Sequence, residues 1–350
     1  MNDSIATRPL LLRARAPLRL GLGGGGTDVS PYSDLFGGQV LNVTIDKYAY
    51  ATLALAPKGT VELIAADSGV SWRGQATPVL PRTKGVDLHV GVYNRVVRDF
   101  CSGRPMNVSI TTHSEAPPGS GLGSSSTMVV AILQVFCEYL SLSLGEYEIA
   151  KLAYEIERDD LGMAGGKQDQ YAATFGGMNF MEFYADRVIV NPLRMKHHIK
   201  AELESSLVLY YTGVSRESAK IIAEQTAHIE QRDEKPLEAM HRVKAEARAM
   251  KEAVLCGDWD AFASSMRTGW EEKKKLASSI SNSAIDEVYD AAIAAGALAG
   301  KVSGAGGGGF MMFFVEMSKR PAVMKRLSEF NGQVFTCNFT EGGAHSWRKK

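Results

Sequence analysis

Pro117-Pro118-Gly119-Ser120-Gly121-Leu122-Gly123-Ser124-Ser125-Ser126-Thr127 runs without a break into the apolar stretch of residues 128–140. The pattern predicts a glycine-serine turn feeding a long buried helix over residues 126–142. Glycines let successive backbone N–H groups converge, and the first turn of a helix presents unpaired N–H groups and the positive end of its dipole. The serines are expected to cap the helix and to offer hydroxyls at the same spot. Together these make a cradle for an anion such as phosphate. No lysine follows the glycines, so the loop is not of the G-x-x-x-x-G-K-[ST] kind.

Working outward, most of the 35 glycines fall in four stretches: residues 21–38, 119–123, 162–177 and 300–309. Such clusters cost backbone entropy and add no core, so four of them, each with polar neighbours, point to places where backbone approaches a ligand closely. The bulk composition narrows the class. With 39 Lys+Arg against 39 Asp+Glu the net charge is zero, and the basic run Arg348-Lys349-Lys350 is short, so nucleic acid is not an expected partner. At 45% hydrophobic and 22% charged residues, the chain reads as globular rather than disordered. Cys101, Cys137, Cys256 and Cys337 lie far apart, as isolated thiols in a reducing compartment do. Arg13, Arg15 and Arg19 interrupt the first apolar stretch, and residues 310–315 are too few to span a bilayer. A cytoplasmic protein with no membrane partner is expected.

Strand character is read over residues 10–22, 39–55, 61–65, 107–112, 180–190, 206–212, 309–315 and 334–339. Helical patterns cover residues 86–100, 144–161, 216–263 and 285–299, with Pro236 expected to break the long charged stretch. A strand-rich first half and a helix-rich second half predict an α+β protein of two domains, residues 1–200 and 201–350, meeting near residues 190–205. Gly21-Leu22-Gly23-Gly24-Gly25-Gly26 also satisfies G-x-G-x-x-G, with Asp46 further on as a ribose-binding acid would be. That dinucleotide reading fails on the intervening segment, because residues 27–38 contain Pro31 and Gly37-Gly38 and cannot supply a crossover helix.

Three ordered motifs carry a resemblance over nearly the whole chain: Ala16-Pro17-Leu18-Arg19 running to Thr27-Asp28, residues 117–126, and Lys301-Val302-Ser303-Gly304-Ala305-Gly306-Gly307-Gly308-Gly309. In these the chain resembles the GHMP small-molecule kinases. The resemblance implies a two-domain fold, with an N-terminal nucleotide- and substrate-binding domain like domain 2 of ribosomal protein S5 and a ferredoxin-like C-terminal domain. It implies ATP as phosphoryl donor, held by Pro118, Gly119, Ser120, Gly121, Leu122, Gly123, Ser124, Ser125 and Ser126. It further implies Mg²⁺ on Ser125 and Glu157, a catalytic Asp169, and Arg19 to stabilise developing charge. A hard divalent ion prefers oxygen ligands, and a loose phosphoryl transition state rewards positioning and charge neutralisation above base strength. On the residues alone, Glu155, Asp159 and Asp160 compete with Glu157, and Arg15 competes with Arg19.

The substrate side of the resemblance implicates Gly24, Gly25, Gly26, Thr27, Asp28, Gly166, Gln168, Arg216, Gly306 and Gly307. Within the family, Gly23 to Asp28 followed by Pro31-Tyr32 and Phe36-Gly37-Gly38 looks most like the branch acting on D-glycero-D-manno-heptose 7-phosphate. Galactokinases would show an acid-histidine pair where Gly25-Gly26 stands. The implied reaction is phosphorylation of the anomeric C1 hydroxyl to the 1,7-bisphosphate, used to build GDP-heptose for surface polysaccharide. Arg216, Lys167, Lys301 and Arg82 are candidate anchors for the 7-phosphate. The alternatives are a family kinase for a fucose- or galactose-like sugar, or an inactive sugar- and nucleotide-binding regulator, against which intact Arg19, Ser125 and Asp169 argue. The expected partners are a sugar phosphate and ATP, with the chain a monomer or homodimer. His113 is expected to be structural, Met128, Phe136 and Tyr139 to be core, and the nucleobase to rest on apolar residues near the loop of residues 70–90.

Overall fold

The computed structural model describes residues 10–214 and 218–349, so Arg216 lies outside the described residues. β1 (Leu11–Gly23) buries Leu12, Ala14, Ala16, Leu18, Leu20 and Leu22, the even positions of an alternating strand. It pairs antiparallel with the long β2 (Gly38–Leu55). β3 (Thr60–Ala65), β4 (Val70–Gln75), β5 (Val108–Ser114), β6 (Met178–Phe183) and β7 (Val188–Pro192) complete most of the first sheet. A second, four-stranded sheet contains β8 (Leu207–Tyr211), β9 (Ala297–Val302), β10 (Phe310–Val315) and β11 (Gln333–Phe335), in the order β11-β8-β10-β9.

The helix Ser124–Leu140 buries Val129, Val130, Ala131, Ile132, Leu133 and Phe136 and packs on β1 and β2. Its apolar surface fixes the phosphate loop against the first sheet. Between the two sheets lies one shared core: Leu18, Leu20, Leu22, Leu41 and Val43 meet Met250, Val254, Phe262, Met266, Phe310 and Met312. Helix Trp259–Lys274 therefore packs on β1 and β9 together. The fold is α+β.

Several boundaries differ from the sequence pattern. Residues 180–190 form a hairpin, β6 and β7, and residues 285–299 divide into the helix Ser283–Ala294 and β9, with Gly296 at φ 114° turning the chain. The charged stretch holds three helices, Ser218–Glu230, Glu234–Cys256 and Trp259–Lys274. Pro236 interrupts none of them: it occupies the first turn of the second, where its missing N–H has no intrahelical partner to lose. The division at residue 200 does not hold for the tail, since β12 (His345–Arg348) pairs antiparallel with β1 in the first sheet. It covers an edge that would otherwise expose unpaired backbone groups. Residues 27–38 contain a five-residue helix, Tyr32–Phe36, between antiparallel strands, which excludes a βαβ unit.

Candidate active site

The phosphate loop, the turn after β1, residues 164–169 and the loop of residues 303–305 converge on one cleft. Gly119, Gly121, Gly123 and Ser124 to Ser126 line it. The expected serine cap is absent: Gly123 is the N-cap residue of helix Ser124–Leu140, in the left-handed region at φ 79°, and no side chain caps the helix. The early N–H groups therefore stay available to a ligand, as an anion site requires. Ser120 Oγ and Ser124 Oγ are 3.0 Å apart, Ser120 is fully buried, and Leu122 belongs to the shared core. Ser120 and Leu122 thus shape the loop from behind, and neither they nor Pro118 line the cleft.

The second sheet clamps this loop. Phe310 N–H donates to Ser120 O at 2.8 Å, and Cβ atoms on Gly121 or Gly309 would collide with Ser303 O or Ser120 O, at 2.5 and 2.4 Å. Close backbone packing accounts for glycine at those two positions. Gly306 and Gly307 pack on the segment before helix Ser283–Ala294 rather than lining the cleft: Gly307 N–H donates to Ile280 O at 2.7 Å, and a Cβ on Gly306 would lie 2.9 Å from that oxygen. Gly304 and Ala305 form the cleft wall in their place.

Arg19, on β1, donates from Nε to Asp169 Oδ1 at 2.7 Å and from Nη1 to Gly121 O at 2.7 Å. Arg19 is buried and Asp169 is partly open, so one ion pair links the first sheet, the phosphate loop and a carboxylate facing the cleft. Ser303 Oγ donates to Gly121 O and lies 3.4 Å from Arg19 Nη1. Arg15 takes no part, since its guanidinium lies over the Tyr48 ring at 4.4 Å.

Glu157 sits in a single π-helical turn, Ile156–Asp160, and is fully buried. Such turns re-aim side chains and recur at functional sites. Ser125 Oγ donates to its Oε1 at 3.3 Å, and Gln170 Nε2 donates to its Oε2. Burial raises the Glu157 pKa above the usual carboxylate range, with Arg158 opposing. The competing acids are engaged elsewhere: Glu155 and Asp160 both pair with Arg95, and Asp159 is exposed. Among the described residues no three His, Cys, Asp or Glu side chains gather as a metal cage. A buried carboxylate beside a hydroxyl is nonetheless a fitting oxygen pair for Mg²⁺, which keeps water and phosphate oxygens as its other ligands.

On the sugar side, Asp28 is buried and its carboxylate accepts from Gly26 N, Gln168 N and Gln168 Nε2 at 3.1 to 3.2 Å. Burial raises its pKa, and the nearby Asp169 adds to the rise. Gly166 permits this arrangement, because a Cβ there would fall on Asp28 Oδ2. Gly26, Asp28, Gly166 and Gln168 line the cleft, whereas Thr27 does not. The Thr27 hydroxyl donates toward Gly24 O and Gln39 O and accepts from Gln39 N, which ties the turn to β2. Gly24 is likewise turned away, against Gln39 O.

Three expected phosphate anchors are occupied. Lys167 Nζ donates to Asp34 and to Tyr184 O, and Arg82 bonds Asp87 and Leu161 O. Lys301 is buried with Nζ on Gly21 O and Leu22 O. Residues overlooked in the sequence are Arg158, Gln170, Gln225, Lys273 and Ser303. Lys273 had a signal: it follows Phe262, Met266 and Trp270 on the buried face of its helix, where a charge is out of place. His113 is exposed and stacks near Tyr50, away from the cleft, while Phe136 is core.

A second groove, lined by Pro78, Val79, Leu80, Val90, Gly91 and Asn94, also includes Asp160 and Leu161. The π-helical turn and the residue after it thus border both grooves, with Glu157 beside Ser125 and Asp160 on the other side. No helix among the described residues is long and apolar enough to cross a membrane.

A glycine-framed helix start and an Arg–Asp pair in one cleft, with the buried Glu157 carboxylate bonded to Ser125 of its lining, suit phosphoryl transfer, and comparison with known proteins supplies the class. The chain belongs to the GHMP kinase family: the GHMP kinases N terminal domain matches residues 87–177 and the GHMP kinases C terminal domain residues 248–332. It is therefore a kinase. A D-glycero-alpha-D-manno-heptose 7-phosphate kinase of Campylobacter jejuni is 47% identical, over 96% of this chain and 99% of its own. The crystal structure of a D-glycero-D-manno-heptose 1-phosphate kinase from Bacteroides thetaiotaomicron superposes with a TM-score of 0.83 at 47% identity, covering 97% of this chain and 99% of that one. An L-fucokinase/L-fucose-1-P guanylyltransferase of Bacteroides fragilis is 26% identical over 89% of this chain but only 35% of its own length.

Proposed function

We propose that this kinase transfers the γ-phosphoryl group of ATP to the C1 hydroxyl of D-glycero-D-manno-heptose 7-phosphate, giving the 1,7-bisphosphate. The observation that carries the reading is the Arg19–Asp169 pair at 2.7 Å, set against the uncapped start of helix Ser124–Leu140. The sugar class is supported by the near-full-length relatives at 47% identity. Their names differ on whether the sugar enters as the 7-phosphate or the 1-phosphate, and either order yields the same bisphosphate. We favour the anomeric hydroxyl as acceptor because it is more acidic than a primary alcohol and suits a lone carboxylate base.

Asp169 accepts the proton of the C1 hydroxyl and aims its oxygen at the γ-phosphorus. Arg19 holds Asp169 in that orientation and contributes positive charge where negative charge builds up. The free N–H groups after Gly123 bind phosphate oxygens. Mg²⁺, held by Ser125 and Glu157, would neutralise charge on the ATP phosphates. The groove beside Leu80 and Asn94 would take the nucleobase. We place the reaction in the cytoplasm, in the supply of GDP-heptose for surface polysaccharide.

Mass spectrometry of the products from ATP and heptose 7-phosphate, with ³¹P NMR to locate the new phosphate, tests this. An anomeric phosphate signal is expected. A panel including heptose 1-phosphate, fucose and galactose identifies the substrate if no signal forms, and turnover of one of those alone would overturn the proposal.

A further inference from the structure

Two helices each carry, on a largely apolar buried face, a polar side chain that lines the cleft. On Ser218–Glu230, Gln225 lies between the buried Ile221 and Ile229. On Trp259–Lys274, Lys273 continues the stripe of Phe262, Met266 and Trp270. Gln225 is 4% exposed and Lys273 is 3% exposed. Buried polar groups are expected to be bonded, because leaving them unpaired is costly. Here much of that capacity is unused. Gln225 Nε2 has no hydrogen-bond partner among the described residues, and Lys273 Nζ donates to Gly304 O at 2.6 Å while an ammonium has three protons to give.

Both side chains border the same patch of bare backbone. A Cβ on Gly25 would lie 3.4 Å from Lys273 Nζ, and one on Gly26 would lie 3.5 Å from Gln225 Oε1. Gly26, Gln225 and Lys273 line the cleft that holds Asp169. Among the described residues, the other cations lining this cleft are Arg19 and Arg158. Arg19 is engaged by Asp169 and Gly121 O, and Arg158 by Met163 O and Gly166 O. Asp28, the acid whose charge acts on Lys273, is already bonded by Gly26 and Gln168. Among the described residues Lys273 is therefore a buried cation with no carboxylate bonded to it.

We propose that Lys273 and Gln225, facing each other across the Gly25-Gly26 backbone, bind the phosphate that the sugar substrate already carries. The proposal rests on the sugar-phosphate reading above and names the subsite for that group. A phosphate dianion accepts the spare protons of Lys273 and, with the Gln225 amide turned so that Nε2 rather than Oε1 faces Gly26, its N–H, and it supplies the counter-charge the lysine lacks. Burial holds the Lys273 amine down to about 8, against the opposing pull of Asp28, and a bound dianion reverses that depression. Side chains at residues 25 and 26 would fill the space the phosphate takes.

The test compares kcat/KM for heptose 7-phosphate with that for the unphosphorylated heptose, in the full-length enzyme. Lys273→Met and Gln225→Leu are each expected to lower that ratio at least tenfold, with Lys273→Arg restoring part of it. A merely structural tie from Lys273 to Gly304 O would depress both sugars alike, and an unchanged ratio in folded variants overturns the proposal. Gln225→Leu carries the test should Lys273→Met fail to fold. If wild type turns over no heptose phosphate, the functional reading fails by itself. The subsite is then decided by calorimetry with inorganic phosphate, an ATP analogue occupying the helix start. Binding to wild type and not to Gln225→Leu supports it, and equal or absent binding overturns it.

Discussion

The carboxylate of Asp169 stands directly over Gly123, so that a Cβ on residue 123 would lie 3.1 Å from Asp169 Cγ. The residue that starts helix Ser124–Leu140 and the proposed base therefore share one small space. Gly123 is needed twice, for its left-handed φ of 79° and for the missing side chain. Gly123→Ala is expected to cost about 1–2 kcal/mol of backbone strain and to push Asp169 off its line. Steady-state kinetics should show kcat reduced more than tenfold in a protein that still melts cooperatively. An unimpaired kcat would separate Asp169 from the chemistry.

Asp169→Asn keeps the shape of the site and removes its base. A loss of about 10²–10⁴ in kcat is expected, the usual range for general-base catalysis. Because Arg19 acts in part through Asp169, adding Arg19→Met to that variant should cost less than the same change in wild type, the remainder being its direct charge effect. Fully additive losses in the double-mutant cycle would show that the two side chains work independently.

Burial raises the Glu157 pKa, so the folded state holds its proton more tightly than the unfolded chain does. Stability is then highest at low pH and falls as pH rises from the unfolded value through the folded one, leaving a penalty at neutral pH. Glu157→Gln removes the charge and should raise the melting temperature of the metal-free protein at pH 7.5. It should also abolish the stabilisation that Mg²⁺ with ATP gives wild type. A melting temperature that still rises with Mg²⁺-ATP in the variant as it does in wild type would place the ion elsewhere.

Lys273 has its amine at about 8, with Asp28 favouring the charged form and burial and Arg19 disfavouring it, while Lys301 is a further buried amine coupled to it. Only the protonated amine attracts a phosphate dianion. The kcat/KM for the phosphorylated sugar should therefore fall above about pH 8, and Lys273→Arg should move that limb to higher pH, since a guanidinium stays charged. An identical alkaline limb in the two enzymes would assign it to another group.

Val79 is 72% exposed at the groove beside Leu80 and Asn94. Val79→Asp should leave the fold intact while raising the KM for ATP about tenfold, the equivalent of about 1.4 kcal/mol of lost apolar contact. KM for the sugar should not move. An unchanged KM for ATP would take the nucleobase out of this groove.

Much of the candidate site's geometry was legible in the chain because it depends on local backbone. The run of glycines and serines at residues 117–127 demands close N–H groups at a helix start, and Arg19, Ser125, Glu157 and Asp169 do meet there. The serine cap was misread, since propensity favours serine at a helix start whereas the proximity of Asp169 requires glycine at residue 123. Strand alternation in β1 and the apolar helix Ser124–Leu140 followed from periodicity alone. The last strand did not, because nothing local distinguishes His345–Arg348 until β1 offers it an edge.

What the sequence by itself determined is the glycine-framed helix start, the acid beside it and the α+β class, all of which follow from spacing and side-chain chemistry. Only the tertiary structure decided which charges stay free. Lys167, Lys301 and Arg82 stood out as anchors in the chain and Lys273 did not, yet folding places carbonyls or carboxylates around the first three. Lys273 and the Gln225 amide nitrogen are left with unused protons among the described residues, and the neighbouring Gly25 and Gly26 offer no side chain to bond. Partner choice among like charges depends on distances across hundreds of residues, from Gly21 to Lys301 for instance, and no local pattern encodes those.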